Sequence, residues 1–388
     1  ATMRAMPMTP PLPPEPLLLA AVDMGSNSFR LEIGQLAGRG RYKRIDYLKE
    51  TVRLGGGLDA DGRLTEEAQA RGLACLARFA LRLRGFGTEQ VRAVATQTLR
   101  EARNRDAFLA RARTVLGHPI EVVSGREEAR LIFAGVARLQ PSERPRLVID
   151  IGGRSTEMIL GQGRTPRAAE SFQVGSVSLS MRYFPEGRFT EAGFRAAQIA
   201  AGAELEEALQ PFAPGQWVEA LGSSGTVGAV SQLLAANGVT DGAITPQGLR
   251  WAIEACLAAG HQDALDLPGL KPERRAVLGG GLSILYTLAM QFGIDALQPA
   301  RGALRQGVIF DLGERLEAAA AGPGARRARQ DLRDTSVQEL QRRFGSDLAQ
   351  AARVRRLALA LYRRVAPREA PPGTETPREL GWAAALHE

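Results

Sequence analysis

The 388-residue chain has little lysine. Of its 50 basic residues only Lys43, Lys49 and Lys271 are lysine, and the others are arginine. With 42 acidic residues the formal net charge is +8. The planar arginine fork suits phosphate oxygens, which favours a polyanionic partner. Genomic base composition is the alternative explanation of this bias, and the sequence leaves both open.

Aromatic residues, cysteines and long apolar runs are also scarce. Aromatic residues make up 5% of the chain and are not interleaved with the basic runs, which argues against a specific nucleic-acid partner. No apolar run approaches the length of a membrane span, so we predict no transmembrane segment. The two cysteines, Cys75 and Cys256, have neither metal nor disulfide spacing, which favours a cytoplasmic location.

Residues 147–160 have the pattern of a buried strand, a glycine turn and a second strand. The first strand ends near Asp150, Gly152 and Gly153 let the backbone approach an anion, and Ser155 is a further donor. A carboxylate beside an anion site indicates an intervening cation, so Asp150 is predicted to anchor magnesium. The alternative is an acidic residue that opens an ordinary hairpin turn.

Residues 17–33 repeat this plan, with Asp23 at the end of an apolar strand and Ser26 and Ser28 in the turn that follows. Two copies about a domain length apart predict two similarly built α/β domains, each contributing one phosphate-binding hairpin to a shared cleft. Residues 1–16, rich in Met and Pro, are predicted to be a disordered leader.

Two further side chains follow predicted strands. Arg100 comes after the strand predicted over residues 91–96, where ligands collect in open α/β sheets, so it is a candidate phosphate clamp or an exposed helix-terminal arginine.

Ser124 and Glu127 have capping-box spacing. Glu128 is not needed for that cap, and a helix amino terminus favours the ionised form that a proton acceptor requires. Simple compensation of the helix dipole is the alternative for Glu128.

The second half of the chain adds two glycine-rich stretches. Residues 222–226 end a predicted strand and open a helix, a junction whose backbone amides can bind an anion. The three glycines at 279–281 are predicted to form a tight turn before a helix. From about residue 312 the sequence is Arg- and Ala-rich and helical, with a loop predicted at 367–377, and it stops inside an apolar helical pattern, which predicts an incomplete third domain.

Together these motifs resemble the exopolyphosphatase and guanosine pentaphosphate phosphatase family over residues 18–312. The matching segments are residues 23–28, 96–100, 124–132, 150–157, 222–226 and 302–307. The resemblance implies an α/β fold in which two actin- or hexokinase-like (ribonuclease H-like) domains, residues 17–134 and 135–312, flank a cleft. Residues 313–388 resemble the start of an all-α HD-like domain, through which family members often pair as homodimers.

The resemblance also implies the roles of individual residues. Glu128 would be the base that activates water on the terminal phosphorus, and Asp150, Glu157 and Asp23 would hold Mg²⁺, with a monovalent cation such as K⁺ as a further cofactor. The residues implied to cradle phosphates are Ser26, Asn27, Ser28, Arg100, Gly152, Gly153, Arg154, Ser155, Ser223, Gly225 and Thr226. Carboxylates around a polyanion would repel it unless cations intervened, which agrees with this assignment.

One position departs from the family pattern, which has glycine where this chain has Arg154. If the position requires a positive φ, an arginine there would be strained by about 1 to 3 kcal/mol. The side chain could block the phosphate pocket or add a clamp to it. We expect Arg154 to alter phosphate affinity without abolishing the fold.

Four functions are consistent with these residues. The first is magnesium-dependent removal of terminal phosphate from inorganic polyphosphate, and the second is hydrolysis of guanosine pentaphosphate at the same site. The third is a non-catalytic polyphosphate or nucleotide sensor whose turn is disabled at Arg154. The fourth is a sugar or acetate kinase of the same fold, which the placement of Glu128 disfavours.

Overall fold

The computed structural model describes residues 16–37, 41–320, 332–365 and 376–387. The predicted leader lies outside these residues except for Pro16, and so does most of the predicted loop at 367–377. Two compact units are present, one from Ala1 to Glu314 and one from Arg315 to Glu388. Within the first unit, two lobes are built on two β-sheets.

Lobe I is built on a sheet of five strands, β1 (Leu17–Met24), β2 (Ser28–Ala37), β3 (Arg41–Thr51), β4 (Val91–Ala95) and β5 (Ile120–Val122). Their order is β3-β2-β1-β4-β5, in which β1 to β3 are an antiparallel meander and β4 and β5 run parallel to β1. Strand β1 is apolar and almost fully buried, as expected for a central strand.

Lobe II repeats this topology with β6 (Arg146–Ile151), β7 (Thr156–Gln162), β8 (Thr165–Phe172), β9 (Glu219–Gly222) and β10 (Leu297–Pro299). The order is β10-β9-β6-β7-β8, again an antiparallel meander followed by two parallel strands. Each lobe has its own apolar core. The predicted fold class, two similarly built α/β domains, is confirmed.

Ten helices of the described chain accompany the two sheets. They are α1 (Glu66–Arg82), α2 (Gln97–Glu101), α3 (Arg105–Leu116), α4 (Gly125–Leu139), α5 (Ser176–Tyr183), α6 (Glu191–Glu204), α7 (Gly225–Ala236), α8 (Pro246–Ala259), α9 (Pro272–Gln291) and α10 (Leu304–Ala320). The Ser124 side chain caps α4 by accepting from the Glu127 amide, as predicted. The reciprocal half of the capping box does not form, because the Glu127 carboxylate instead accepts from Arg130 and Arg92.

Helices α4 and α10 each pack on the lobe opposite to the one that they follow in the chain. Helix α4 follows lobe I but packs on β7, where the Phe133 ring covers Gly161, and α10 follows lobe II but packs on lobe I through Phe310 and Tyr42. The two helices cross so closely that a Cβ on Gly307 would lie 1.7 Å from the Leu131 carbonyl oxygen. The domain boundaries proposed after residues 134 and 312 therefore fall inside helices rather than in linkers.

The prediction of a tight turn at residues 279–281 is wrong, because all three glycines lie inside α9. They are buried where α9 packs on α5 and α7. A Cβ on Gly280 would lie 2.4 Å from the Ser176 carbonyl oxygen, and one on Gly281 would lie 2.6 Å from the Thr226 side chain. Close helix packing, not a turn, explains this glycine run.

The described part of the second unit is helical, with α11 (Leu332–Arg343), α12 (Leu348–Val365) and α13 (Thr376–Ala385). Helix α13 contains Pro377, which was predicted to lie in a loop; proline is tolerated there because it occupies the first turn of the helix. Over the described residues, no helix combines the length and the apolar character needed to cross a membrane.

Candidate active site

Two equivalent hairpins supply the acidic floor of a cleft between the lobes. In β1–β2, Asp23 stands directly opposite Arg30, and in β6–β7, Asp150 stands directly opposite Glu157. Directly opposed side chains of an antiparallel pair lie on the same face of the sheet. The duplicated position therefore holds an acid–base pair in lobe I and a pair of acids in lobe II.

Asp23 is neutralised by arginines from two directions. Its Oδ2 lies 3.2 Å from Arg30 Nη1 and 3.5 Å from Arg305 Nη1. Arg305 is at the start of α10 and also pairs, at 3.2 Å, with the fully buried Glu32. The charge of Asp23 is thus already compensated by the protein, which weighs against the expected role of Asp23 as a metal ligand.

The acids of lobe II have no comparable compensation. Burial and, next to it, the negative charge of Glu128 raise the pKa of Asp150 to about 7. Burial likewise raises the pKa of Glu157 to about 7, with the charge of Asp150 as the next cause. Ser171 Oγ donates to Glu157 Oε1 at 2.8 Å, and Glu157 is buried and is not among the residues that line the cleft. Such elevated pKa values mark a place where a cation would be stabilised.

Glu128, in the first turn of α4, lines the same cleft and is 7% exposed. Arg100 Nη1 donates to Glu128 Oε2 at 2.8 Å and to the Val123 carbonyl at 2.9 Å. Burial raises the pKa of Glu128 well above its usual value, and the negative charge of Glu157 adds to this effect. A carboxylate that lines the cleft and is held in place by one arginine is positioned to accept a proton from a bound water.

The two predicted phosphate turns meet at the floor of the cleft, which encloses about 360 Å³. A Cβ on Gly153 would lie 3.1 Å from Ser26 Cβ and 3.4 Å from the Asn27 amide nitrogen. Buried Ser28 Oγ has no hydrogen-bond partner within the described chain, so a donor is available to a bound anion. The predicted cradle residues of the two turns that line the cleft are Ser26, Asn27, Ser28, Gly152, Gly153 and Ser155.

The third predicted turn, between β9 and α7, also lines the cleft. The hydroxyls of Ser223 and Thr226 donate to the backbone carbonyls of Gly302 and Ile151, at 2.8 and 3.0 Å. These two side chains therefore brace the turn. The Arg274 side chain lies over Gly225, and a Cβ there would lie 2.2 Å from a guanidinium nitrogen, so that flexible side chain would have to shift.

Two predicted phosphate ligands, Arg100 and Arg154, are not among the residues that line the cleft. Arg100 contacts Glu128, as described, and the Arg154 guanidinium pairs with Glu101 at 2.7 Å. Arg154 does not have the positive φ that was considered, since the described non-glycine residues with positive φ are Arg53 and Glu186. The proposed backbone strain at Arg154 is therefore absent, and the side chain does not fill the pocket.

The sequence reasoning missed a set of cations around the cleft, namely Arg30, Arg44, Lys49, Arg274, Arg301 and Arg305. Burial, followed by the positive charges of Arg274 and Arg30, lowers the pKa of Lys49 to about 8. Burial and Arg30 also lower the pKa of Arg274. Lysine is so rare in this chain that Lys49 could have been singled out, and Arg305 belongs to the recognised segment 302–307, but no local pattern indicated Arg274.

The acidic floor suits a magnesium ion whose ligands come partly from the protein and partly from the substrate. Throughout the described ranges, no three His, Cys, Asp or Glu side chains are arranged as a complete metal site. Mg²⁺ commonly binds one or two carboxylates and completes its octahedron with water and phosphate oxygens. The uncompensated pair Asp150 and Glu157 fits this requirement.

Comparison with known proteins identifies the family. The family model described as "Ppx/GppA phosphatase family" matches residues 37–316. The model described as "Ppx/GppA phosphatase, domain III" matches residues 332–388. The chain belongs to the Ppx/GppA phosphatase family. A Haemophilus influenzae protein provisionally named an exopolyphosphatase is 41% identical over 301 residues, which cover 78% of this chain and 93% of that protein. The predicted family and class of enzyme, a phosphoanhydride hydrolase, are thereby confirmed.

Solved structures of Ppx/GppA proteins share the fold. An exopolyphosphatase-like protein is 26% identical with a TM-score of 0.69, over 78% of this chain and all of that chain. The Aquifex aeolicus PPX-GPPA enzyme is 25% identical with a TM-score of 0.63, over 76% of this chain and 99% of its own. The actin-like arrangement of two lobes around a cleft is therefore the fold of this family member.

Proposed function

We propose that this phosphatase is a magnesium-dependent exopolyphosphatase that releases orthophosphate from the end of inorganic polyphosphate. The observation that carries the proposal is that one cleft brings together a cluster of acidic residues and a cluster of basic residues. Asp150 and Glu128 line the cleft and, with Glu157 buried opposite Asp150, form an acidic cluster, and Arg30, Lys49 and Arg274 line the same cleft and form a basic one. A complex of a divalent cation with a phosphate chain complements both clusters at once.

In the proposed reaction Glu128 accepts a proton from a water molecule as that water attacks the terminal phosphorus. The bond from this phosphorus to the bridging oxygen breaks, and the products are orthophosphate and a chain that is one unit shorter. Arg100, which donates to Glu128, holds the carboxylate in place. Magnesium held by Asp150 and Glu157 would neutralise the acidic floor and the phosphoryl oxygens.

The turns would hold the terminal phosphate. Ser28 Oγ is an uncommitted buried donor, and Gly152 and Gly153 allow the backbone to approach the anion closely. The cations at the cleft, which come from both lobes, would bind the following phosphates of the chain. Asn27, Ser155 and the backbone of residues 223–226 complete the proposed phosphate-binding surface.

Guanosine pentaphosphate is the second candidate substrate, because the same floor could act on its terminal phosphate. The spread of cations along the cleft favours the longer polyanion, since each additional phosphate gains from extended positive charge. The sensor alternative loses its main support, because Arg154 neither strains the turn nor lines the pocket. A cytoplasmic location, dimerisation through the helical region and a K⁺ requirement stay predictions.

The test is a phosphate-release assay on long-chain polyphosphate and on guanosine pentaphosphate at matched concentrations of terminal phosphate, with and without Mg²⁺. We expect magnesium-dependent release from both substrates, with the higher kcat/KM on polyphosphate. A higher kcat/KM on guanosine pentaphosphate would reverse the assignment. Tight polyphosphate binding without turnover would instead support the sensor.

A further inference from the structure

Arg154 extends from the second phosphate turn, in lobe II, to lobe I. Its Nε and Nη2 lie 2.9 and 2.7 Å from Glu101 Oε2, and its Nη1 donates to the Gly55 carbonyl at 3.3 Å. Glu101 is the last residue of α2, and Gly55 begins the short helix Gly55–Gly57. The guanidinium thus joins a turn of one lobe to two elements of the other.

The elements that Arg154 contacts are those that hold the first phosphate turn. The Gly55 amide donates to the Ser26 carbonyl at 2.8 Å, and Thr98 Oγ1, in α2, donates to Ser26 Oγ at 2.7 Å. Because Gly153 packs against Ser26, the residue next to Arg154 is in contact with the turn that these bonds fix. Arg154 therefore contacts the two elements that hold the first turn, while its neighbour Gly153 contacts that turn directly.

A continuous series of side-chain contacts also leads from Arg154 to Glu128. Glu101 Oε1 accepts from Gln97 Nε2 at 2.6 Å, and Gln97 Oε1 accepts from Arg100 Nε at 2.9 Å. Arg100 then donates to Glu128 at 2.8 Å. Gln97 is buried, and its amide can bridge the two charged residues in only one orientation.

We propose that Arg154 is a positioning residue that fixes the two phosphate turns against each other and, through Glu101 and Gln97, holds Arg100 on Glu128. This inference rests on the proposed role of Glu128 as the base. It assigns a use to the arginine that replaces the glycine of the family pattern.

The pH profile separates this role from a merely structural one. The charged groups that act on Glu128 are Arg100, which favours the carboxylate, and Glu157, Asp23 and Asp150, which oppose it. If Arg100 loses its support, the carboxylate is favoured less, and the acid limb of kcat moves to higher pH. A simple loss of folded protein would lower the amplitude of the profile without moving the limb.

The experiment is a double-mutant cycle of Arg154→Ala and Glu101→Ala, assayed by phosphate release from polyphosphate in Mg²⁺ across the pH range. Each single variant is expected to lower kcat about tenfold and to move the acid limb to higher pH, and the double variant should be no worse than either. The Arg154→Lys variant should recover part of the loss. Additive effects, or an unmoved acid limb, would overturn the proposal.

The matched control is Arg111→Ala, which removes an arginine that pairs with Glu66 at 2.9 Å on the surface of lobe I and should leave the profile unchanged. If the unmodified enzyme releases no phosphate from either substrate, the proposed function fails. The positioning role of Arg154 is then tested by amide hydrogen exchange. Faster exchange at Gly55 and Gly152, whose amides donate to Ser26 and Ser155, in Arg154→Ala than in Arg111→Ala would support it. Equal exchange would overturn it.

Discussion

Asp150 and Glu157 face each other across β6–β7 at the position where β1–β2 pairs Asp23 with Arg30. The two hairpins share a backbone plan, and the exchange of one arginine for a glutamate separates their chemistry. In lobe I the pair is neutral, and in lobe II two acids share one buried place. The actin-like duplication thus supplies one hairpin to which we assign the cation and one hairpin whose own charge is balanced.

The acidic pair should make the metal-free protein less stable as the pH rises. The pKa values of Asp150 and Glu157 are about 7 in the folded state, above their ordinary values, so the stability that their protonated forms provide is complete below about pH 4 and is lost as the pH approaches 7. Asp150→Asn should therefore raise the Tm at pH 8 by about 2 to 5 °C and change it little at pH 4. Differential scanning calorimetry in the presence of a metal chelator checks this prediction. An equal shift in Tm at both pH values would contradict it.

Magnesium should stabilise the protein in a pH-dependent way. Protons compete with the cation for Asp150 and Glu157 below about pH 7, so the rise in Tm on adding Mg²⁺ should be larger at pH 8 than at pH 6. The rise should be lost in Glu157→Gln. Thermal scans of both proteins at fixed ionic strength give the answer, and a rise that Glu157→Gln leaves intact would place the cation elsewhere.

Glu128→Gln should lower kcat by about 10² to 10⁴ while polyphosphate still binds, because the amide keeps the shape of the side chain but cannot accept the proton. Phosphate release and equilibrium binding measure the two effects. The neighbouring Glu127→Gln is the control, since Glu127 pairs with Arg130 and Arg92 outside the cleft. That variant should lower the Tm and leave kcat within about twofold. Near-normal turnover in Glu128→Gln would remove Glu128 from the mechanism.

Arg274→Ala should weaken the binding of long polyphosphate and preserve the chemical step. Arg274 lies against Gly225 and near Arg30 and Lys49, so its removal takes one charge from the basic cluster. We expect KM to rise about tenfold at low salt, with kcat retained and with a weaker dependence of KM on salt. The adjacent Arg275→Ala, whose guanidinium pairs with Asp266 at 3.3 Å, is the control. Equal KM changes in both variants would argue against a specific phosphate contact.

Gly307→Ala should destabilise the first unit, because a Cβ there would overlap the Leu131 carbonyl oxygen where α4 and α10 cross. A loss of about 2 to 4 kcal/mol in the free energy of unfolding is expected from such overpacking. Gly228→Ala in α7 is the control, since a Cβ there meets nothing within 4 Å. That change should be neutral or stabilise by up to about 1 kcal/mol. Denaturant titration of the two variants distinguishes a packed crossing from a loose one.

The sequence alone determined the features that rest on local patterns. Apolar runs and glycine turns defined the two hairpins with Asp23 and Asp150, and the Ser124 cap placed Glu128 in the first turn of α4. These features follow from short-range sterics and hydrogen bonding, which a stretch of ten residues specifies by itself. The duplicated plan of the two lobes could be inferred for the same reason.

Only the tertiary structure decided which side chains meet. It placed Arg100 on Glu128, directed Arg154 to Glu101, and brought Lys49 of lobe I and Arg274 of lobe II to the same cleft. It also put the glycines at 279–281 inside a helix, because α5 and α7 pack against them. Such contacts join residues far apart in the chain, and their geometry depends on how whole elements pack, which no local pattern encodes.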